Sequence, residues 1–528
     1  MGDAEVFLAG LFVLVAGLNV LALRLTIPYP IVLVLGGLVV GVIPGIPDIT
    51  LNPDLVLVIF LPPLLYSAGV FADLRALRNS LRPILLLAIG LVFVTTVSVA
   101  VVAHEVIGLS WALAFALGAI VSPTDPTAAT AIMRDLGVPR RMVNVLEGES
   151  LINDATALVV YRVAVSAAVG GSVSASHAAV ELVGAAVGGV AIGAAVGYLL
   201  VAIRRRIDDT TTQLTISLLS GYAAFIPADL IGASGVLAVV TAGLMIGWHA
   251  PVLISPQTRL ESNAMWRILI FLLNATLFML IGLQLPVILD GVSHQSAGEL
   301  IGYAALVCAT VIGTRLVWNF TVVYIIRAID RRPEQRLRRA GWRQRLISSW
   351  SGMRGAVSLA AALALPLSTD AGTPLPDRDL ILFITFALIL VTIVGQGLTL
   401  PWLIRKLGVQ EDGSEEEREE LRARLVAAEA ALRCLDEVEG EGWAREDTLE
   451  RMRGLYRFRQ RRFKVRAGKM EDEDGIEDRS LSYQRLIHVV STAQREAVVQ
   501  LRNSGDISSD VMHRLERELD LEESRLEI

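Results

Sequence analysis

Cysteine and histidine are scarce in this 528-residue chain, and neither is placed to do chemistry. Of the two cysteines, Cys308 falls in an apolar run and Cys434 in a charged segment, so no disulfide framework is expected. The six histidines, at 104, 177, 249, 294, 488 and 513, show no metal-ligand spacing, which leaves a metalloenzyme without support. Charge is low too. Only 19% of residues are charged against 53% hydrophobic, and mean hydropathy is +0.57, a value that soluble proteins of this size rarely reach. No feature calls for a cofactor or for nucleic acid as a partner. The net charge of −6 says nothing of partners, because both signs crowd into loops and the last part of the chain.

What is present is a series of apolar runs of about 18 to 25 residues, long enough to cross a bilayer. About thirteen can be counted, centred near residues 14, 36, 62, 93, 122, 156, 190, 222, 244, 279, 314, 358 and 395. The opening "MGDAEVFLAGLFVLVAG" carries Asp3 and Glu5 where a signal peptide needs positive charge, so it reads as a retained first span. The loops support the count. "DLRALRNSLRP", "MRDLGVPRRM", "RRRIDD" and "RAIDRRPEQRLRRAGWRQR", after spans 3, 5, 7 and 11, are rich in arginine. Those after spans 2, 4, 6, 8 and 10 hold no Lys or Arg. The positive-inside rule puts the arginine-rich loops in the cytoplasm, and predicts an external N-terminus and a cytoplasmic C-terminus.

From about residue 409 the composition changes. "EDGSEEEREELRARLVAAEAALRCLDEVEGE" and "DVMHRLERELDLEESRL" are charged, with an apolar period of three to four residues, and read as amphipathic cytosolic helices. Two domains are therefore expected, a transmembrane domain over 1–408 and a charged helical tail over 409–528. The tail reads first as a solubilising or self-packing segment and second as a ligand-sensing regulator.

Two spans are interrupted. In "GAIVSPTDPTAATAI", Pro123 and Pro126 bracket Thr124 and Asp125. Each proline lacks a backbone donor and disfavours helix in the residue before it, so the chain should unwind there. In "SSWSGMRGAVSLAAA", Gly352 and Gly355 flank Arg354 and make a second break plausible. The two lie seven spans apart, so two similar halves would be inverted, as in transporters with sites at paired broken helices.

"GESLINDATALVVY", residues 148–161, poses the chemical question, because it places Glu149, Asn153 and Asp154 inside an apolar span. An ionised Asp at a helix centre costs about 2.5–3.5 kcal/mol on insertion scales. If the span starts near Val143, Asp154 lies about 16 Å in, half-way through a ~30 Å core. Ser150 and Asp154 share a helical face, and Asp125 sits at similar depth beside unwound backbone. Carboxylates, a hydroxyl and bare carbonyls make an all-oxygen site suited to a hard cation such as Na+. A carboxylate in a low-dielectric site must be neutralised, and either a proton or a cation can do it. One site serving both ions, open to alternate sides, is an exchanger. Glu149 lies on another face and needs its own partner. Arg315, a lone arginine in span 11, is the best candidate, as a structural ion pair. Arg354 could anchor a helix break by satisfying freed carbonyls. The bland alternative for Asp125 and Asp154 is a protonated packing pair.

These residues resemble the monovalent cation:proton antiporters that include bacterial NhaP proteins and animal sodium/proton exchangers. "GESLINDATALVVY" matches the family signature, supported in order by "LPPLLYSAGVF", "SPTDPTAATA", the intrahelical "GTR" and "SGMRG", over about residues 1–408. The resemblance implies an all-α polytopic fold of thirteen spans, with inverted repeats, two crossed broken helices, and core and dimerisation subdomains in a homodimer. It implies Na+ or Li+ exchange for H+ in a plasma membrane, with Asp154 as the transport aspartate. Asn153 matches the asparagine that steadies the crossed helices. Asp125, the Thr124 carbonyl and Ser150 match other ion-site groups, and Glu149 and Arg315 the structural pair. Asn rather than Asp before Asp154 resembles the electroneutral branch, exchanging one H+ for one cation. One departure is Ser67, where many relatives have an acid, and this bears on cation preference.

Three other readings compete. K+/H+ exchange uses the same oxygens on the same scaffold. An intramembrane aspartyl protease needs two carboxylates sharing a proton, but a Gly-x-Gly-Asp is absent at either acid. A cation channel wants rings of identical groups, and no filter-like loop is visible.

Overall fold

The computed structural model describes residues 3–25, 27–43, 53–170, 175–329, 341–410, 414–472 and 475–524. Among these the chain is helical, with no strand and a single isolated bridge between Ser368 and Pro374. In lipid each backbone donor and acceptor must be satisfied within the segment, and a helix does this locally. The chain is a multi-pass membrane protein.

The first compact unit, Met1–Glu411, carries the apolar helices. They are α1 (Asp3–Leu25), α2 (Tyr29–Gly41), α3 (Pro53–Val70), a short α4 (Leu74–Asn79) and α5 (Leu81–Ile107). Next come α6 (Trp111–Val121), α7 (Thr127–Asp135), α8 (Arg140–Gly170), α9 (Ala175–Arg204), α10 (Thr210–Leu230) and α11 (Gly235–Leu253). The unit ends with α12 (Pro256–Leu283), α13 (Leu285–Gly291), α14 (Ala297–Ile329), α15 (Trp342–Trp350), α16 (Ala356–Leu363) and α17 (Arg378–Leu407). Seven segments, α5, α8, α11 and α14 among them, are long and apolar enough to cross a bilayer, and shorter apolar helices such as Tyr29–Gly41 and Trp111–Val121 accompany them. Each expected span centre falls on one of these helices, except residue 122, which falls at a break. Side-chain caps set several starts: Ser110 accepts from Leu113 N–H, Asp209 from Thr212, Ser234 from Leu237 and Ser255 from Thr258. Exposed apolar side chains such as Val13, Val187 and Ile301 form an outer surface suited to lipid.

The departures from regular helix position the site. Residues 122–126 separate α6 from α7, and residues 351–355 separate α15 from α16. The prolines and glycines noted above occupy these gaps. The two gaps touch, because Asp125 N–H donates to Met353 O at 2.8 Å. A backbone donor freed by one break is thus satisfied by a carbonyl freed by the other. The sequence did not signal the π-type turns, Leu86–Leu91 and Ala103–Ile107 in α5 and Val391–Gln396 in α17. Such turns often mark functional sites.

The second unit, Asp412–Ile528, has helices α18 (Ser414–Glu441), α19 (Glu446–Arg466), α20 (Ile476–Ser504) and α21 (Ser509–Ser524). α18 pairs with α19, and α20 with α21. Arg453 ties α19 to α18 through Asp436 at 3.0 Å and through Glu439. Arg466 reaches Glu477 at the start of α20 with bonds of 2.7 and 3.0 Å.

Candidate functional site

The GESLIND segment lies on α8, whose buried side includes Glu149, Asn153 and Asp154. The first break lies against this side. Asn153 Nδ2 donates to Thr124 Oγ1 at 3.0 Å and to Thr124 O at 3.4 Å. Thr124 Oγ1 in turn donates to Glu149 Oε1 at 3.1 Å. The order of donors fixes the amide. The Thr124 hydroxyl spends its only proton on the carboxylate, so it accepts from the asparagine N–H. Asn153 Oδ1 therefore points elsewhere, and it is buried with no hydrogen-bond partner among the described residues.

Glu149 and Arg315 form a bidentate pair, with Nη2 to Oε2 at 2.9 Å and Nη1 to Oε1. Both residues are 1% exposed. Arg315 Nε also donates to Ser348 O at 3.3 Å. One turn further along α14, Asn319 Nδ2 donates to Ser349 Oγ at 3.0 Å. These two contacts hold α14 against α15 just before the second break. Gly352 makes room for the arginine: a Cβ there would stand 2.6 Å from Arg315 Nε.

Arg354 lies between the breaks. Its Nε donates to Val121 O at 3.0 Å, at the C-terminal end of α6, and its Nη1 donates to Gly352 O. A guanidinium there meets the negative end of a helix dipole. The Arg354 N–H donates to Thr392 Oγ1 at 3.1 Å, within the π-type turn of α17.

Asp125 Oδ1 accepts from Thr127 N–H at 2.9 Å, at the start of α7. Asp154 takes no part in these hydrogen bonds and keeps 8% exposure. Its carboxylate lies within Coulombic range of Asp125. A Cβ at Gly355 would overlap the Asp125 carboxylate, so the second break closes over the acid of the first. Ser150, one turn before Asp154, is half-buried and takes no part in these bonds. Ser67 is buried and donates to Leu64 O of its own helix at 2.8 Å. The structure thus brings Thr124, Asn153, Glu149 and Arg315 into one hydrogen-bonded chain, with the two aspartates beside it.

Sequence reasoning missed Thr392, Ser348, Asn319 and Ser349.

Comparison with known proteins bears on the family and the fold. The family described as "Sodium/hydrogen exchanger, transmembrane" matches residues 10–406. A Mycobacterium tuberculosis protein named as an uncharacterized Na+/H+ exchanger is 37% identical over 512 residues, covering 96% of this chain and 93% of that protein. A Bacillus subtilis sodium, potassium, lithium and rubidium/H+ antiporter is 34% identical over 388 residues, covering 71% of this chain and 58% of that protein. The sodium proton antiporter MjNhaP1 of Methanocaldococcus jannaschii shares the fold, with a TM-score of 0.62 at 20% identity, covering 77% of this chain and 99% of that one. Family and fold are those of transporters rather than enzymes, and the chain belongs to the sodium/hydrogen exchanger family.

Proposed function

We propose that the chain exchanges Na+ or Li+ for H+, one for one, by letting the two ions compete for Asp154 at a site that opens to alternate sides. Asp125, the Thr124 carbonyl, Asn153 and Ser150 complete the oxygen set around the cation. The observation that carries the reading is the division of labour among the buried acids. Glu149 is consumed by Arg315, whereas Asp125 and Asp154 lie within electrostatic reach of each other, Asp125 in the unwound backbone of the first break, with Asn153 Oδ1 left over.

The same division supports the stoichiometry. Glu149 is engaged by Arg315, and neither Asn153 nor Ser67 adds a second titrating group. With Asp154 as the carrier, one proton is exchanged for one monovalent cation. Working as a homodimer of thirteen-span protomers in a plasma membrane, such as a bacterial inner membrane, fits this reading. So does an external N-terminus with the tail in the cytoplasm. A wider cation range that includes K+ is favoured by the name of the Bacillus subtilis relative and by Ser67, a hydroxyl turned to its own helix, where an acid would add charge.

The test is exchange in proteoliposomes with equal ion gradients, with and without a K+ diffusion potential set by valinomycin. One-for-one exchange should leave the steady-state Na+ and H+ distributions unmoved by the potential. A potential that shifts them, after correction for leak, would mean that a second group titrates in the cycle. Acidification should also raise the apparent KM for Na+ with little change in maximal rate, since one carboxylate serves both ions.

Gly355→Ala should disturb this site without touching a carboxylate. Its new Cβ claims the space of the Asp125 carboxylate, and the apparent KM for Na+ should rise on the order of tenfold or more. An unchanged KM in a correctly inserted Gly355→Ala protein would argue that the position of Asp125 does not matter to the cation.

A further inference from the structure

One peptide group ties the two breaks to a helix outside them. The Met353 carbonyl accepts from Asp125 N–H at 2.8 Å. The N–H across the same peptide bond, that of Arg354, donates to Thr392 Oγ1 at 3.1 Å. Thr392 lies in the π-type turn of α17 and is fully buried. Its own proton goes back to the main chain of α17, to Leu388 O at 2.8 Å, with Ile389 O at 3.2 Å beside it. A hydroxyl has one proton to give, so the oxygen is left to accept from Arg354. The bonds therefore run one way, from Asp125 N–H through the Met353–Arg354 peptide and the Thr392 hydroxyl into α17. Hydrogen bonds aligned in this manner polarise one another.

The peptide is planar, so its two polar ends cannot turn independently. Tilting the N–H away from Thr392 swings the carbonyl away from Asp125. The side chains on either side seat the same peptide. Arg354 Nε is bonded to Val121 O at 3.0 Å. Met353 is buried, and its Sδ would stand 3.9 Å from a Cβ at Gly397, the residue directly after the π-type turn.

Asp125 is thus held from three directions. Its Oδ1 takes the Thr127 N–H at 2.9 Å, and the missing side chain of Gly355 leaves room for its carboxylate. Those two restraints come from the segments at the breaks themselves. The third, through its main-chain N–H, leads by way of Thr392 to α17. Packing does not call for a hydroxyl at position 392. The residue stands in the run "FALILVTIVG", where a valine of the same shape would fill the same space. What valine lacks is the acceptor, and without it the buried Arg354 N–H loses its partner.

We infer that Thr392 is a positioning residue for the cation site: its hydroxyl holds the Met353–Arg354 peptide in the orientation that places Asp125, and so sets the affinity for the carried cation from outside the broken helices. The inference rests on the exchange reading above and adds to it a residue that does not touch the ion.

The test uses the full-length protein in proteoliposomes with Na+ titrated, and Na+-induced thermal stabilisation in detergent measured in parallel. Thr392→Val keeps the shape and removes the acceptor. The apparent KM for Na+ should rise about fivefold, the worth of one neutral hydrogen bond, with maximal rate little changed. The thermal shift given by sub-saturating Na+ should shrink with it. Thr392→Ser keeps the hydroxyl and should bring both readouts back close to wild type. Thr392→Ala removes the same acceptor with less bulk, and stands in with the same expected rise in KM if the valine variant does not insert. Thr399→Val is the control. Thr399 Oγ1 accepts from Trp350 Nε1 at 2.9 Å, so it joins α17 to α15 without touching the peptide, and its loss should leave KM unchanged. Thr392→Val combined with Gly355→Ala should raise KM by less than the product of the single effects, because both act through Asp125.

A wild-type KM in a correctly inserted Thr392→Val or Thr392→Ala protein would overturn the inference. So would a raised KM that Thr392→Ser shares, an equal rise in Thr399→Val, or a fall in maximal rate alone, because each would reduce Thr392 to a packing residue of α17. Asp154→Asn separates the two levels. If that variant still exchanges, the underlying reading fails. If it is silent while Thr392→Val behaves as wild type, only the role of Thr392 fails.

Discussion

Asp154→Asn should insert and fold normally and show no cation-dependent proton exchange. The change preserves shape and removes the charge for which, on the proposed mechanism, proton and cation compete. Asp154 takes no part in the hydrogen-bonded chain around Glu149, so losing its charge should not loosen the crossing of the breaks. Thermal stability without ions should stay close to that of the wild type, because an amide replaces a carboxyl of the same shape that takes no part in the hydrogen-bonded chain. Stabilisation by added Na+ should vanish with the activity. The measurement is a paired one, dye-reported exchange in proteoliposomes and melting in detergent with and without Na+. Substantial exchange by a correctly inserted variant would sink the mechanism. A silent variant that was also unstable would move Asp154 from the transport site to the scaffold. Asp125→Asn should also be severely impaired, but with some loss of stability, since its carboxylate caps the start of α7 through Thr127.

The second large effect falls on stability. Glu149 and Arg315 are almost fully buried and bonded through both carboxylate oxygens. Removing one partner strands the other as a buried charge, which typically costs about 3–5 kcal/mol. Glu149→Ala and Arg315→Ala should each lower the melting temperature sharply. Glu149 also accepts from Thr124, so its loss should disturb the first break, whereas loss of Arg315 frees Ser348 O beside the second. Changing both to apolar residues of similar volume should recover part of the loss, since a buried pair can be replaced at little net cost. Additive losses in that double-mutant cycle would show that the two side chains do not support each other.

Much of the fold is legible because the bilayer imposes a length on apolar runs. The breaks are legible for a local reason. Pro123 and Pro126 cannot sustain a helix, and Gly352 and Gly355 do not favour one. What escapes such reading is long-range or energetically silent. Asp125 and Met353 stand more than two hundred positions apart, and a main-chain bond between them leaves no mark in residue type. The π-type turn at Val391–Gln396 contains a run of β-branched residues indistinguishable from neighbouring helix, so nothing announces that Thr392 will meet Arg354. At the site, charge is conspicuous and neutrality is not. Asp154, Glu149 and Arg315 stand out from an apolar background. Asn319 and Ser349 can sit in a span at small cost, and become interesting only once α14 and α15 are seen to meet beside the second break.

The chain from Asn153 through Thr124 and Glu149 to Arg315 has a consequence for coupling. Each member is held in one role: an amide N–H that only gives, a hydroxyl whose proton is spent, a carboxylate already engaged, and a guanidinium whose N–H groups only donate. A proton relay requires groups that can receive on one side and release on the other, and the amide and guanidinium at the two ends cannot do so. The chain is thus an insulator laid along one wall of the site. On the proposed mechanism, a proton held at Asp154 is offered no relay along this chain, which favours its release by the route it shares with the cation and so the coupling of one gradient to the other.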